Sequence, residues 1–410
     1  MAEGIAARAA AVAALNAVLG EGRMLAELAE PDLAPQDRAR AARLTEEVLR
    51  RLDPADRILA PKLRKSPPLA LMNILRLGLV EMALGAAPYG VVNACVAIAQ
   101  QDRKTRHMSG LVNAVLRGID PAALAEQPVQ KLPRWLRQPL VQKWGRDAVQ
   151  QMETVFAAPP PLDLTLRPEG PHPEGEMMPT GSLRLSDPGR ITALPGYAEG
   201  GWWVQDMAAA IPARLLQAQA GERVLDLCAA PGGKTMQLAA TGAAVTALDI
   251  SAARLRRVEE NLARTGLQAQ LIAADALHWE PDGLFDAILL DAPCSASGTI
   301  RRHPDLPFIK DGSEIRGLAE LQSQLIDRAL SWLKPGGRLV FATCSLLPEE
   351  GELQLDAALA RHPGLKTTRL ELDGISSDWW TESGGLRLRP DYLASQGGMD
   401  GFFMMRLHRP

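Results

Sequence analysis

Apolar residues in the first third of the chain recur at helical intervals. Val12, Leu15 and Leu19 fall on one side of a helix, as do Leu44, Val48, Leu49 and Leu52, and then Leu71, Ile74, Leu75 and Leu79. Breaks fall near Pro31, at Pro67-Pro68 and around Pro88, and no strand-like alternation interrupts the pattern. With short connections, residues 1–120 read as an all-α bundle of about seven helices. Residues 121–200 are mixed and proline-punctuated, and the run Pro159-Pro160-Pro161 cannot continue a helix.

From Gly221 the period changes. Val224–Leu227, Ala244–Leu248, Leu271–Ala273, Ala287–Leu290 and Arg338–Thr343 are short apolar runs that read as strands. Helical stretches fall between them: one starting near Lys234, then Arg254–Arg264, then Glu314–Leu333. Pro335-Gly336-Gly337 turns the chain into the fifth strand, and Phe402–Leu407 is a late strand suited to an antiparallel return. Strands alternating with helices predict an α/β fold with a doubly wound, mostly parallel sheet that binds ligands at the carboxyl ends of its strands. The expected domains are a helical one over 1–125, a linker and small subdomain over 126–200, and the α/β domain over 201–410.

Composition narrows this picture. The chain has 410 residues, 47% apolar and 23% charged, enough for ordinary cores and too apolar for a disordered protein. A net charge of −3 hides an asymmetry of +6 over residues 1–150 and −9 over the rest. A basic front suits a polyanion, although a solvated surface can be asymmetric by chance. Lys131, Arg134, Arg137, Lys143 and Arg146 surround Trp135 and Trp144. Such a cluster offers partners to RNA phosphates and base faces, or it is a helix with its indoles inward and its cations in water. Cys95, Cys228, Cys294 and Cys344 form no CxxC pair, so neither a zinc ribbon nor a disulfide framework is indicated, and a cytoplasmic protein is expected. No uncharged apolar run reaches the ~18 residues of a membrane span.

The chemistry gathers at strand ends. The first βα turn, Cys228-Ala229-Ala230-Pro231-Gly232-Gly233-Lys234, is small and open but is neither GxGxxG nor the triphosphate loop GxxxxGK[ST]. Asp249 ends the second strand, where a carboxylate can accept both ribose hydroxyls, and Asp275 follows the third. The set points to an adenosine-containing cofactor without a phosphate, S-adenosylmethionine; alternatively either aspartate caps a helix. Asp291-Ala292-Pro293-Cys294 follows the fourth strand and Ala342-Thr343-Cys344-Ser345 the fifth. With strand order 3-2-1-4-5 these ends are neighbours, so two thiols and a carboxylate converge beside the cofactor. Methylation of carbon-5 of a pyrimidine needs such a set. A thiolate adding to carbon-6 makes an enamine that pushes electrons to carbon-5, and an acid at N3, a role for Asp291, quenches the charge that develops there.

The motifs C-A-A-P-G-G-K (228–234), L-D-A-P-C-S-A-S-G-T-I-R-R-H-P-D (290–305) and A-T-C-S-L-L-P-E-E-G-E (342–352) resemble the RNA 5-methylcytosine methyltransferases of the NOL1/NOP2/Sun group. G-G-W-W-V-Q-D (200–206) and G-G-M-D-G-F-F (397–403) resemble the motifs flanking them. R-A-A-A-V-A-A-L (8–15), the helix at 71–81 and S-G-L-V-N-A-V-L-R (109–117) are similar to the NusB-type helical RNA-binding domain. One departure is L-T-L-R-P-E-G (164–170), where the group has Leu-Arg-Val-Asn; a Pro- and Glu-rich stretch over 171–185 follows it.

The resemblance implies a Rossmann-like class I S-adenosylmethionine-dependent methyltransferase behind an all-α NusB-like domain. It implies that Cys228 through Lys234 hold the methionine and ribose side of the cofactor, Asp249 the ribose, and that Asp275 lies by the adenine. Asp291 would sit between cofactor and base, Cys344 would be the nucleophile, and Cys294 would help release the product. The implied partner is small-subunit ribosomal RNA, with the target cytosine unpaired or flipped out. No metal, no membrane and a monomer are expected. A transfer-RNA methyltransferase of the same group and a non-catalytic RNA-binding factor are the rival readings; the NusB-like front argues against the first and the intact aspartates and cysteines against the second.

Overall fold

The structure, a computed structural model, describes residues 4–168, 170–186 and 188–410. Glu169, within the divergent 164–170 stretch, lies outside the described residues. The chain forms two compact units, one of Met1–Pro159 with Ile300–Asp311 and one of Pro160–Thr299 with Gly312–Pro410.

The first unit is helical. Its helices are α1 (Ile5–Glu21), α2 (Pro35–Arg50), α3 (Leu52–Leu59), α4 (Leu69–Ala83), α5 (Pro88–Gln101), α6 (Ser109–Arg117) and α7 (Arg134–Phe156). Six α-helices therefore precede residue 120 among the described residues, not about seven, because the remaining turns there are single 3-10 turns such as Leu25–Glu27 and Arg106–Met108. The predicted faces meet in one core: Val12, Leu15, Leu44, Val48, Leu49, Leu71, Leu75 and Leu79 are all buried. Arg8 and Arg40 both grip the buried Glu81 carboxylate, at 2.6 and 2.7 Å. Residues 126–159, expected in the linker, join this unit; Gln130 donates to Leu49 O at 3.0 Å and Arg57 to Pro128 O at 2.9 Å. So does Ile300–Asp311, expected in the α/β domain. Phe308 and Ile309 pack on the helical core, Asp305 accepts from the Leu25 N–H at 2.8 Å, and Arg50 donates to Arg301 O at 2.7 Å.

The second unit opens with β1 (Leu162–Leu166), β2 (Glu176–Met177), β3 (Leu183–Leu185) and β4 (Trp202–Val204), an antiparallel sheet of order β2-β3-β1-β4. A buried bidentate pair, Arg184 with Asp163 at 2.6 and 2.7 Å, ties β3 to β1. Then come α8 (Met207–Leu216), β5 (Arg223–Leu227), α9 (Gly233–Ala239), β6 (Ala244–Asp249), α10 (Ala252–Thr265), β7 (Gln270–Ala273), β8 (Phe285–Asp291) and β9 (Leu333–Thr343). The helix Ile315–Ser331 precedes β9 and Glu352–Arg361 follows it. The edge is built by β10 (Lys366–Thr367), β11 (Leu386–Leu388) and β12 (Phe402–His408). Strands β7-β6-β5-β8-β9 run parallel in the expected 3-2-1-4-5 order, and β12 pairs antiparallel with β9. Leu225, Leu227, Ile288, Leu290, Leu339 and Phe341 enter one apolar layer, while Val224, Ala287, Leu289, Val340 and Ala342 enter the other. Both faces are covered, which is why these strands read as continuous apolar runs rather than alternating ones.

Candidate active site

The turn after β5 is shaped by backbone that few residues tolerate. Cys228 adopts φ 61° and Gly232 φ 100°. A side chain on Gly232 would strain that angle, and its Cβ would stand 2.9 Å from Val258 of α10. The turn is pinned to the second strand: the Ala229 N–H donates to Leu248 O at 3.1 Å and the Ala230 N–H to Asp249 Oδ2 at 3.1 Å. Asp249 is 1% exposed; its Oδ1 accepts from the Ser251 N–H at 2.9 Å, and Arg254 lies 3.6 Å from Oδ2. The cap of α10 is the Ser251 hydroxyl, which accepts from the Arg254 N–H at 3.3 Å, and Asp249 ties that cap residue to the loop. Asp275 does not reach the loop through its hydrogen bonds. These are local, to Leu277 N–H at 2.9 Å and His278 at 2.8 Å, and the Leu277 N–H first and His278 second pull its carboxyl below the usual range. No helix directly follows Asp275 among the described residues, so it caps none; its bonds close a turn over residues 275–278.

Beneath the loop, Asp226 is fully buried. Its Oδ2 accepts from Thr235 at 2.6 Å and its Oδ1 has no hydrogen-bond partner. Burial holds its carboxyl up at about 7, against the lowering effect of Thr235 and the Lys234 charge. Burial, with the charges of Asp291, Asp249 and Asp226, pushes the Cys228 thiol up to about 12, so it stays neutral.

Lys234 ends the motif and points its ammonium at Asp291, with Nζ 2.7 Å from Oδ2. Burial alone would lower its pKa, but the charge and hydrogen bond of Asp291, with the charges of Asp226 and Cys344, raise it above the ordinary lysine value. Lys234 and Asp291 thus form an ion pair at the carboxyl end of β8.

The two strand-end cysteines meet. Asp291 lies opposite Ala342 across the parallel β8–β9 pairing, and Cys294 and Cys344, both free thiols, have their sulfurs 3.4 Å apart. The Cys294 thiol is pushed well above the usual thiol range, first by its hydrogen bond with Cys344, then by burial and the charges of Cys344 and Glu350. Cys294 thus holds its proton, and the two sulfurs stand within hydrogen-bonding contact of each other.

The flanking motif 397–403 closes the site from another side. The Gly401 N–H donates to Gly298 O at 2.8 Å and the Gly298 N–H to Cys344 O at 2.9 Å. A Cβ on Gly298 would sit 2.0 Å from Gly401 O, so the two backbones can approach only with glycine there.

Sequence reasoning missed the polar lattice behind the thiols. Ser295, Ser297 and Ser345 hydroxyls lie 3.1–3.3 Å from one another, Glu350 binds Ser295, and Arg387 donates to Ser345 O. The repeated serine after each cysteine was the available signal.

In the helical unit, the exposed Lys131, Arg134 and Arg146 line an open groove of about 530 Å³ along α7 with Gln138 and Gln142. Trp135 and Trp144 are half-buried, and Gly145 breaks the helix with φ 83°.

Comparison with known proteins now decides the family. Residues 213–408 match the family model of the 16S rRNA methyltransferases RsmB/F, and residues 5–121 match the NusB family. The ribosomal RNA small subunit methyltransferase B of Cronobacter sakazakii is 34% identical and is covered, like this chain, over 99% of its length. The chain belongs to the ribosomal RNA small subunit methyltransferase B family. Its relative of that name in Vibrio cholerae is 36% identical over 87% of this chain and 89% of its own. A solved methyltransferase homolog protein from Pyrococcus horikoshii superimposes with a TM-score of 0.57 at 28% identity, over 67% of this chain and 94% of that one.

Family and fold make S-adenosylmethionine the expected cofactor, and the residues fit it. The loop is flanked by the acidic side chains of Asp249 and Asp291, and beneath it Asp226 keeps one oxygen without a hydrogen-bond partner. That set suits a ligand carrying a sulfonium and an ammonium and repels a polyphosphate. Among the described residues, no helix is long and apolar enough to cross a membrane.

Proposed function

We propose that this RNA methyltransferase makes 5-methylcytosine in small-subunit ribosomal RNA through a covalent bond between Cys344 and carbon-6 of an unpaired or flipped-out cytosine. One observation carries the reading: two free thiols in contact, 3.4 Å apart, at adjacent strand ends next to an ammonium–carboxylate pair. Bound S-adenosylmethionine supplies an electrophilic methyl group. Cys344 adds to carbon-6 while the Lys234–Asp291 pair acts on N3, so electron density builds on carbon-5, which takes the methyl group. A base then removes the carbon-5 proton, its electron pair re-forms the C5–C6 double bond, and Cys344 leaves as a thiolate. Cys294, which keeps its proton, hydrogen-bonds the departing sulfur and assists that elimination. Asp249 fixes the cofactor loop and offers its remaining lone pairs to the ribose, and Asp275 stands at the adenine end.

The exposed cations along α7 supply phosphate contacts. Incubating the protein with a 16S transcript and isotope-labelled methyl donor, then digesting to nucleosides for mass spectrometry, should place the label in 5-methylcytidine. Label in any other nucleoside, or in transfer RNA in preference to the transcript, would overturn the reading.

A further inference from the structure

Behind the two thiols lies a carboxylate that the proposed chemistry does not use. Glu350 is 0% exposed. Its Oε1 accepts from the Ser295 N–H at 2.8 Å and from Gln322 at 3.2 Å, and its Oε2 accepts from the Ser295 hydroxyl at 2.5 Å. Its own backbone carbonyl accepts from the Thr343 hydroxyl at 2.8 Å. Ser295 follows Cys294 and Thr343 precedes Cys344. The two ends of one residue therefore hold the neighbours of both cysteines. Gln322 completes the arrangement by donating to Pro293 O at 2.8 Å, on the other side of Cys294.

A buried carboxylate is costly unless its oxygens are satisfied, and an apolar residue of similar size would fill this space more cheaply. Strand pairing alone does not fix a sulfur–sulfur distance, because both cysteines lie past the last paired residues of β8 and β9, in loops with their own freedom. Ala296, two residues after Cys294, even sits at φ 57°. The Gly298–Cys344 backbone bond and the serine hydroxyls tie the two loops together, and Glu350 adds a bond to the residue directly beside each cysteine.

We infer that Glu350 is a positioning residue that sets the distance between Cys294 and Cys344 by clamping Ser295 and Thr343 at once. The inference rests on the reading that Cys344 adds to the base and Cys294 assists its release. Its geometric content, however, can be measured without any RNA.

Glu350→Gln should preserve the clamp. The amide oxygen can take over both bonds of Oε1, and the NH2 group can donate to the Ser295 hydroxyl, which then turns to donate to Ser297 or Ser345. Glu350→Ala removes the side-chain half altogether, and Ser295→Ala removes the hydroxyl bond alone.

The first readout is capture of phenylarsine oxide, whose arsenic exchanges its oxygen for two thiolate sulfurs and releases water, and which needs two thiols in contact. The wild-type chain should capture one arsenical, and Cys294→Ala or Cys344→Ala should abolish capture. Glu350→Gln should stay within about twofold of wild type, Glu350→Ala should lose at least about tenfold in capture rate, and Ser295→Ala should fall between.

The second readout is the RNA adduct formed in a Cys294→Ala background, which should fall in parallel while S-adenosylmethionine affinity by titration stays within about twofold. Capture and adduct at wild-type levels in Glu350→Ala would overturn the inference. So would equal losses in Glu350→Gln and Glu350→Ala, which would point to the charge rather than the clamp. If Glu350→Ala fails to bind cofactor because it is misfolded, Ser295→Ala decides: full capture there overturns the inference. Glu350-dependent capture without any adduct in the Cys294→Ala background would sink the covalent reading and leave the clamp standing.

Discussion

Replacing Asp249 by Asn tests how the cofactor loop is held. Three donors converge on this carboxylate: the Ala230 N–H at 3.1 Å, the Ser251 N–H at 2.9 Å and, more loosely, Arg254 at 3.6 Å. An asparagine offers one acceptor oxygen and turns an NH2 group toward the other donor. If the bond from the Ser251 N–H is kept, the Ala230 N–H faces another N–H in a site only 1% exposed. Losing one hydrogen bond to a charged, buried acceptor costs about 1.5–3 kcal/mol, and the ribose loses the same charged acceptor. Cofactor affinity should therefore fall roughly 10- to 150-fold. Isothermal titration with S-adenosylmethionine measures this directly, with circular dichroism to confirm that the variant is folded. A folded Asp249→Asn protein that binds within about twofold of wild type would refute the reasoning.

Three further outcomes are expected. Asp226 holds its proton up to about pH 7 when folded, against 3.8 for an ordinary aspartate, so its contribution to stability is full below about pH 4 and is lost as pH rises through about 7; thermal melts between pH 5 and 8 should show wild type losing up to about 3 kcal/mol relative to Asp226→Asn, and parallel curves would contradict the burial argument. Lys234→Met leaves Asp291, 30% exposed, without its ammonium at a cost of about 1–3 kcal/mol, so single-turnover methyl transfer should slow about 10- to 100-fold; an unchanged rate would remove the pair from the chemistry. Replacing Lys131, Arg134 and Arg146 together by alanine should weaken RNA binding and flatten its salt dependence by roughly one unit of slope for each phosphate no longer neutralised, whereas an unchanged slope would place the RNA elsewhere.

What could be read from the chain was whatever a local pattern encodes. Apolar runs ending in Asp249, Asp291 and Cys344 located the strand ends, and the 3-2-1-4-5 order brought Cys294 and Cys344 into contact. Other features depend on partners far away in sequence. Nothing local in Ile300–Asp311 says that Phe308 and Ile309 enter the core of the helical unit, because two apolar residues in a proline-rich turn carry no period. Glu350 reads as one acid in an acidic loop. Its role depends on Ser295, 55 residues away, and on a fold that buries both. The Lys234–Asp291 pair, 57 residues apart, likewise alters the role expected of Asp291. Asp249 and Asp275 look alike as strand-end aspartates, and only the geometry separates one that holds the loop from one whose bonds are local.

The covalent chemistry is tested most directly by trapping it. Wild type, Cys344→Ala, Cys294→Ala and the double variant are each incubated with ribosomal RNA and S-adenosylmethionine, then run on a denaturing gel. Cys294→Ala should accumulate a protein–RNA adduct, seen as a slowed band, because Cys344 still adds to carbon-6 but leaves poorly. Cys344→Ala and the double variant should show none, while Cys344→Ala still binds the cofactor. An adduct with Cys344→Ala and none with Cys294→Ala would contradict the account and exchange the roles of the two thiols.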